Sequence, residues 1–193
     1  MAVTYAVLAA GDSKRMDFPK AITPLAGLSP LQRIAATLGE RRFVIVTSSG
    51  LSLECAAQVS GRRIVINESP WRGMTSSLRS ANGVIDARHA VGVLLADKPF
   101  LSERTLVLCE RALEFADCDV LYPVTNSGQP GHPVYFGPNA RKLIEALPDG
   151  DTLRTLRDDP RLTHAAIACD DEGVQLDLDT PDQWHAAAAL YHA

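Results

Sequence analysis

The chain predicts an α/β domain of three layers, with helices on both faces of a mostly parallel, mixed β-sheet. Three observations point there. Strand-like and helix-like segments alternate through the first two-thirds of the sequence, the order that parallel strands with helical crossovers require. Val91-Gly92-Val93-Leu94-Leu95-Ala96 is apolar without interruption, as a central strand covered on both faces must be. A loop of small residues comes directly after the first strand, where open α/β sheets gather their ligands.

The elements run in this order. Val3–Ala9 reads as the first strand. Ser29 and Pro30 supply the N-cap and first position of a helix whose Leu31, Ile34, Ala35 and Leu38 share one face and which Gly39 closes. Phe43–Val46 and Arg63–Ile66 are the second and third strands. Residues 75–87 predict a helix, then comes the central strand Val91–Ala96 with Asp97 at its carboxyl end, and a helix over 102–116. Beyond it the pattern changes. Asp119–Pro123 and Pro133–Phe136 read as strands joined by a Gly/Pro-rich loop suited to a lid or a substrate-binding edge. Asp177-Leu178-Asp179 reads as a strand end, with Leu178 turned inward and both carboxylates outward. Thr180 and Gln183 have capping-box spacing around Pro181, so the last helix starts there, with Trp184, Ala187, Ala188 and Tyr191 as apolar positions.

Bulk properties bound the function. A chain of 193 residues, 46% hydrophobic and 22% charged, fits a single domain over 1–193 with one well-buried core. A net charge of −4 excludes a general nucleic-acid binder, which needs a basic footprint. The longest apolar runs are strand-sized, so no membrane span is expected. The N-terminus lacks the basic and hydrophobic regions of a secretory signal. Cys55, Cys109, Cys118 and Cys169 are widely spaced, and the expectation is reduced, buried thiols in a cytoplasmic protein. Against this acidic background, Lys14, Arg15 and Lys20 focus positive charge on one loop, which suits a small anion.

That loop, Leu8-Ala9-Ala10-Gly11-Asp12-Ser13-Lys14-Arg15-Met16-Asp17-Phe18-Pro19-Lys20, can hold polyphosphate. Ala9, Ala10 and Gly11 carry almost no side chain, so their backbone N–H groups can approach an anion closely. It is neither a Walker loop nor a three-glycine dinucleotide fingerprint, because Gly11 stands alone. Other polar groups cluster elsewhere. Thr75, Ser76 and Ser77 fall at a helix start, a position favouring anions, although one hydroxyl would serve as the N-cap. Asp97 succeeds a buried strand and precedes Pro99; a hard carboxylate there suits Mg²⁺, and Ser102 is available to cap the next helix. His132 is either structural or a contact to an acceptor phosphate.

The wording Leu-Ala-Ala-Gly-x-Ser-x-Arg-Met-x-x-Pro-Lys resembles the signature of the MobA-like NTP transferases. Gly73-Met74-Thr75-Ser76-Ser77-Leu78-Arg79 and Leu95-Ala96-Asp97-Lys98-Pro99-Phe100 are similar to that family's second loop and metal-binding turn. Gly128-Gln129-Pro130-Gly131-His132-Pro133-Val134 and Leu178-Asp179-Thr180-Pro181-Asp182 resemble late motifs of its molybdopterin cytidylyltransferase branch. The resemblance implies a Rossmann-like nucleotidyltransferase fold. It also implies Mg²⁺-dependent transfer of a nucleotidyl group, CTP favoured, to a phosphorylated small molecule such as molybdopterin. Pyrophosphate is released. The implied nucleotide-binding residues are Leu8, Ala9, Ala10, Gly11, Arg15, Lys20 and Ser77. Arg15, Lys20 and Asp97 would be catalytic, Asp97 and Asp179 the Mg²⁺ ligands, and Gly131 and His132 the acceptor contacts. Arg15 would offer phosphate oxygens a bidentate fork and Lys20 a point charge. Asp179 could instead only complement the dipole of the last helix.

Alternatives remain open: a non-catalytic accessory protein that carries a nucleotide-containing cofactor to a receiving molybdoenzyme, or transfer to a sugar or other phosphate. A nicotinamide-dependent oxidoreductase would need the missing three-glycine fingerprint. Asp17 stands where many members have Gly, and Lys98 where they have Gln. An inward Asp17 would oppose phosphate binding, and Lys98 would then compensate.

Overall fold

The computed structural model describes residues 1–11 and 15–190; the expectations for Lys14 and Tyr191 lie outside them. Seven strands form one sheet: β1 (Val3–Leu8), β2 (Phe43–Thr47), β3 (Arg63–Ile66), β4 (Ala90–Leu95), β5 (Val120–Val124), β6 (Val134–Phe136) and β7 (His164–Ala168). Their spatial order is β3-β2-β1-β4-β6-β5-β7. Every neighbouring pair is parallel except those of β6, which runs antiparallel to both β4 and β5. The sheet is therefore mostly parallel and mixed, as expected.

Alternation along the strands builds the two outer layers. Tyr5 and Val7 of β1 join Phe43 and Ile45 under α1 (Pro30–Leu38), α2 (Ser52–Gln58) and α4 (Glu103–Phe115). Ala6 and Leu8 point the other way with Val44 and Val46. They pack on α3 (Met74–Asn82), α5 (Pro138–Arg141) and α6 (Leu153–Arg157). A smaller cluster of Met16, Leu25, Leu178, Trp184 and Ala187 seats α7 (Pro181–Leu190) beside the loop after β1, with Phe18 edge-on to Trp184 at 5.0 Å. Among the described residues no helix is long and apolar enough to cross a membrane. Cys55, Cys109 and Cys169 are buried, Cys118 is half-buried, and all four are free thiols.

Local signals place most elements. Ser29 Oγ accepts from Gln32 N at 3.1 Å while Gln32 Oε1 accepts from Ser29 N at 2.9 Å, a complete capping box. The same reciprocal pair closes α7: Gln183 Oε1 accepts from Thr180 N at 3.0 Å and Thr180 Oγ1 from Gln183 N at 3.3 Å. Two expectations are corrected. The helix expected over 75–87 stops at Asn82, because the buried Arg141 collects the carbonyls of Asn82, Ile85, Asp86 and His89 and so satisfies the backbone of an irregular turn. Residues 177–179 are not a strand. Leu178 is buried as expected, but the segment lies outside the sheet and makes one backbone bond, Leu178 N to Asp97 O at 2.9 Å.

The backbone of β4 passes a crowded point. Tyr5 and Tyr135 meet edge-to-face at 5.9 Å, and the Tyr5 hydroxyl donates to Glu110 Oε1 at 2.6 Å. A Cβ on Gly92 would sit 2.8 Å from the Tyr5 ring and 3.0 Å from the Tyr135 ring. Gly92→Ala is therefore expected to lower stability by about 1–3 kcal/mol through overpacking. Urea denaturation checks this: the midpoint should fall with the slope unchanged, and an unmoved midpoint contradicts the packing described.

Candidate active site

β1 and β4 are neighbours in register, Leu8 beside Leu95, so the loop after one and the turn after the other emerge together. Between them and the start of α3 lies a cavity of about 270 Å³. Leu8, Ala9, Ala10, Gly11, Lys20, Ser77 and Asp97 all line it. Among the described residues, a Cβ on Gly11 would meet nothing within 4 Å, so a ligand's phosphates could approach the Gly11 backbone. At the opposite wall, Gly73 precedes α3 with φ 89°, and a Cβ there would lie 3.0 Å from Gly150 Cα.

Charge converges on this cavity from three distant segments. Lys20 Nζ donates to Asp97 Oδ2 at 2.9 Å and to Asp179 Oδ1 at 2.6 Å. Arg15 Nη2 donates to Asp179 Oδ2 at 2.7 Å from a position 68% exposed, whereas the Lys20 side chain is only 16% exposed. Burial disfavours the Lys20 charge, but Asp97 and Asp179 outweigh it and raise its pKa. Burial likewise acts to raise the Asp179 pKa, yet the hydrogen bond and charge of Lys20, with those of Arg15, hold that carboxyl below the usual range. The Asp179 carboxylate is therefore ionised at neutral pH in this arrangement. Arg15 and Asp179 thus join the site at its rim rather than along its wall.

Asp97 Oδ1 is buried with no hydrogen-bond partner among the described residues. An anionic oxygen in that condition is costly unless something cationic fills its coordination. Asp97 and Asp179, drawn together by one ammonium, fit a hard divalent cation. No cluster of three or more His, Cys, Asp or Glu that could hold a metal occurs among the described residues, so water and phosphate would complete its shell.

The hydroxyl cluster is used mostly inside the protein. Thr75 Oγ1 donates to Pro148 O at 3.2 Å, and Ser76 Oγ to Gly73 O at 2.7 Å. Neither hydroxyl caps α3, whose N-cap is Gly73. Ser77 alone of the three lines the cavity, with its Oγ accepting from Asn67 Nδ2 at 2.9 Å. Asn67, buried directly after β3, had no motif to mark it; only its place at a strand's carboxyl end hinted at a role. Asp17 is exposed rather than inward. Lys98 is not its counter-charge: Lys98 Nζ donates to Gln175 O at 2.8 Å and pairs with Asp177 Oδ1 at 2.5 Å.

A second cavity of about 310 Å³ adjoins the first, sharing Met74 and Leu95 with it. Gly131 and His132 line it, together with Lys98, Arg154, Arg157 and Asp177. The ring of His132 places Nδ1 3.3 Å from Val93 O. Burial drives the His132 pKa down to about 4; the Val93 contact opposes this, and the charges of Lys98 and Arg157 reinforce it. The imidazole is neutral at pH 7. Gly131 abuts Val174, where a Cβ would overlap the isopropyl group, and His132 N donates to Val174 O at 2.9 Å. Arg154 and Arg157 carry no sequence signal, since α6 is too short to show a pattern.

Residues 5–166 match the family model described as MobA-like NTP transferase domain. A curated relative, nicotine blue oxidoreductase of Paenarthrobacter nicotinovorans, is 30% identical over 95% of this chain and 95% of its own. Among solved structures, Rv0371c of Mycobacterium tuberculosis H37Rv superposes with a TM-score of 0.81 at 24% identity over 97% of each chain. A complex of Rv0371c with manganese gives a TM-score of 0.79 at 24% identity, covering 98% of this chain and 99% of that one. Molybdopterin-guanine dinucleotide biosynthesis protein A of Archaeoglobus fulgidus gives 0.76 at 17% identity over 97% of each. These structural likenesses show the fold, and the family match, covering most of the sequence, shows the lineage: the chain belongs to the MobA-like NTP transferase family.

Proposed function

We propose that this protein, one such domain over residues 1–193, transfers a nucleotidyl group from a Mg²⁺-bound NTP, CTP first, to a phosphorylated small molecule such as molybdopterin, releasing pyrophosphate. The observation that carries this reading is Lys20, in the lining of a cavity flanked by small residues, held between Asp97 in its wall and Asp179 at its rim. Two anions must be brought together in such a reaction, so the protein supplies alignment and positive charge rather than a nucleophile. The metal would neutralise phosphate charge when bound at Asp97 and Asp179. Lys20 turns from its carboxylates to phosphate oxygens, and Arg15 closes over them from the rim as charge develops on the departing pyrophosphate. The acceptor phosphate enters from the second cavity, where the two chambers meet at Met74 and Leu95. A cytoplasmic reaction, with NTP at hand, and a molybdoenzyme as receiver of the finished cofactor complete this reading.

A second reading has support from the relative named an oxidoreductase. In that reading the first cavity holds a reducible or reducing cofactor in place of an NTP. Two assays separate them. Pyrophosphate release from CTP with a panel of phosphorylated acceptors supports transfer. Oxidation of NADH or NADPH by an added dye, with no pyrophosphate under any condition, would favour the redox reading.

Asp97→Asn keeps the side chain's size and removes its charge. Turnover should fall by about a hundredfold or more at limiting Mg²⁺, a loss of several kcal/mol, with an unchanged circular dichroism spectrum. Wild-type turnover at limiting Mg²⁺ would remove Asp97 from the metal site. Asp179→Asn separates ligand from helix-dipole roles. A metal ligand predicts a steeply raised Mg²⁺ requirement and a nearly constant Tm; a dipole role predicts a stability loss of about 0.3–1 kcal/mol and the same Mg²⁺ dependence.

The donor preference rests on the resemblance of Leu8-Ala9-Ala10-Gly11 to the cytidylyltransferase form of the loop; Ala10 lines the cavity, where its methyl group would narrow the space for a purine. CTP is expected to be favoured over GTP by about 10–200-fold, the range of steric discrimination in such pockets. Calorimetric titration of both nucleotides with Mg²⁺ tests it, and tighter binding of GTP would overturn the assignment.

A further inference from the structure

Asp97 and Lys98 are consecutive, yet they face different chambers. The Asp97 carboxylate meets Lys20 in the first cavity, while the Lys98 ammonium turns to Gln175 O and Asp177 in the second. Lys98 is only 9% exposed, so its charge is among the least hydrated in the protein. Two of its three N–H donors are taken by Gln175 O and Asp177, which leaves one for a ligand. The Asp177 side chain is 42% exposed and can swing away into water.

The other charges of this chamber add to the same sign. Arg154 is exposed at its rim. Arg157 is braced by Asp158, with Nε and Nη2 at 2.6 and 2.8 Å from its carboxylate, and lies 5.4 Å from the Tyr122 ring. His132 is uncharged, so among the described residues Asp177 is the only acidic side chain lining the chamber against Lys98, Arg154 and Arg157. On the transfer reading, the attacking phosphate would lie where the two chambers meet at Met74 and Leu95. With Asp158 paired to Arg157 and Asp177 to Lys98, Arg154 carries the chamber's net positive charge, and displacement of the exposed Asp177 would free the Lys98 charge for a further anion.

Resting on the transfer reading above, we propose that the second cavity selects an acceptor bearing a second anionic group, a carboxylate or a further phosphate, and that Lys98 is the residue that reads it. Bound acceptor takes the place of the Asp177 carboxylate on the Lys98 ammonium. A neutral amide in place of Lys98 would accept the attacking phosphate equally well but could not reward the additional charge.

Three probes test this by calorimetry, with the first cavity filled by a non-hydrolysable CTP analogue and Mg²⁺. Glycerol 3-phosphate carries one anionic group, 3-phosphoglycerate adds a carboxylate, and propane-1,3-diol bisphosphate adds a phosphate. At least one of the doubly anionic probes should bind about tenfold more tightly than glycerol 3-phosphate, the effect of one added charge-assisted hydrogen bond; the tighter of the two names the second group. Lys98→Gln should bring all three within about twofold. Asp177→Asn should tighten the preferred probe, a gain that misfolding cannot mimic. Equal binding or no binding of the three by the wild-type protein, or discrimination that survives in Lys98→Gln, overturns the inference. Repeating the titrations without nucleotide separates the two readings. Discrimination that persists in a protein unable to bind any NTP overturns the transfer reading and upholds the role of Lys98. NTP binding without discrimination overturns the role of Lys98 alone.

Discussion

A single ammonium group organises the functional half of this molecule. Lys20 joins the loop after β1 to the turn after β4 and to the segment before α7, pieces separated by 77 and 159 residues along the chain. The two carboxylates it holds would repel one another without it. Coulombic attraction is strong here because the lysine is largely withdrawn from water. With Arg15 also on Asp179, two cations balance the two carboxylates, and the site presents charges of both signs to whatever enters. Its cost is the bare Asp97 Oδ1, a buried polar atom with no partner among the described residues. Orphaned atoms of this kind concentrate where binding, rather than folding, completes the coordination.

The segment from Asp171 to Asp179 is the structural counterpart of that ammonium. It belongs to no strand, yet it is pinned along its length. Asp171 accepts from Ser102 and Thr105 at the start of α4, and Gly173 lies so close to the Phe100 carbonyl that any side chain would overlap it. Val174 O receives His132 N, Lys98 grips Gln175 and Asp177, and Leu178 N reaches Asp97 O. The same ribbon therefore lines the second cavity with Asp177 and closes the first with Asp179. Its backbone links the walls of the two chambers.

How much of this was legible in the sequence depended on range. β1, α1 and α7 announced themselves because their signals are local: an apolar run, a Ser-Pro start, and Thr180 and Gln183 at capping spacing. α2, α5, α6 and β7 gave little warning. β7 is an Ala-rich edge strand, and three of its five residues, His164, Ala166 and Ala168, face solvent. α5 and α6 are shorter than two helical turns. The end of α3 could not be read at all, since Arg141 sets it from about sixty residues away. In the site, the loop residues and Asp97 stood out through wording and position. Asn67, Arg154 and Arg157 did not, because an isolated polar residue after a strand or on a short helix looks like any solvated side chain. Asp17 and Lys98, read together as neighbours in one electrostatic problem, turned out to face different surroundings.

The reversed direction of β6 has a consequence for how this scaffold can diversify. Parallel strands deliver their last residues to the ligand edge, so β1 and β4 contribute the loop and the turn at their carboxyl ends. An antiparallel strand delivers its beginning, which is why Gly131 and His132, just ahead of β6, arrive at that same edge. The hairpin joining β5 to β6 is anchored by Thr125 N to Gln129 O at 3.0 Å and Gly131 N to Pro123 O at 2.8 Å, and among the described residues none of it lines the first cavity. Insertions or replacements in that hairpin can reshape one chamber while the other keeps its geometry. The fold thus separates a constant half from a variable half by strand polarity, and new chemistry can be grafted at the reversed strand without rebuilding the rest.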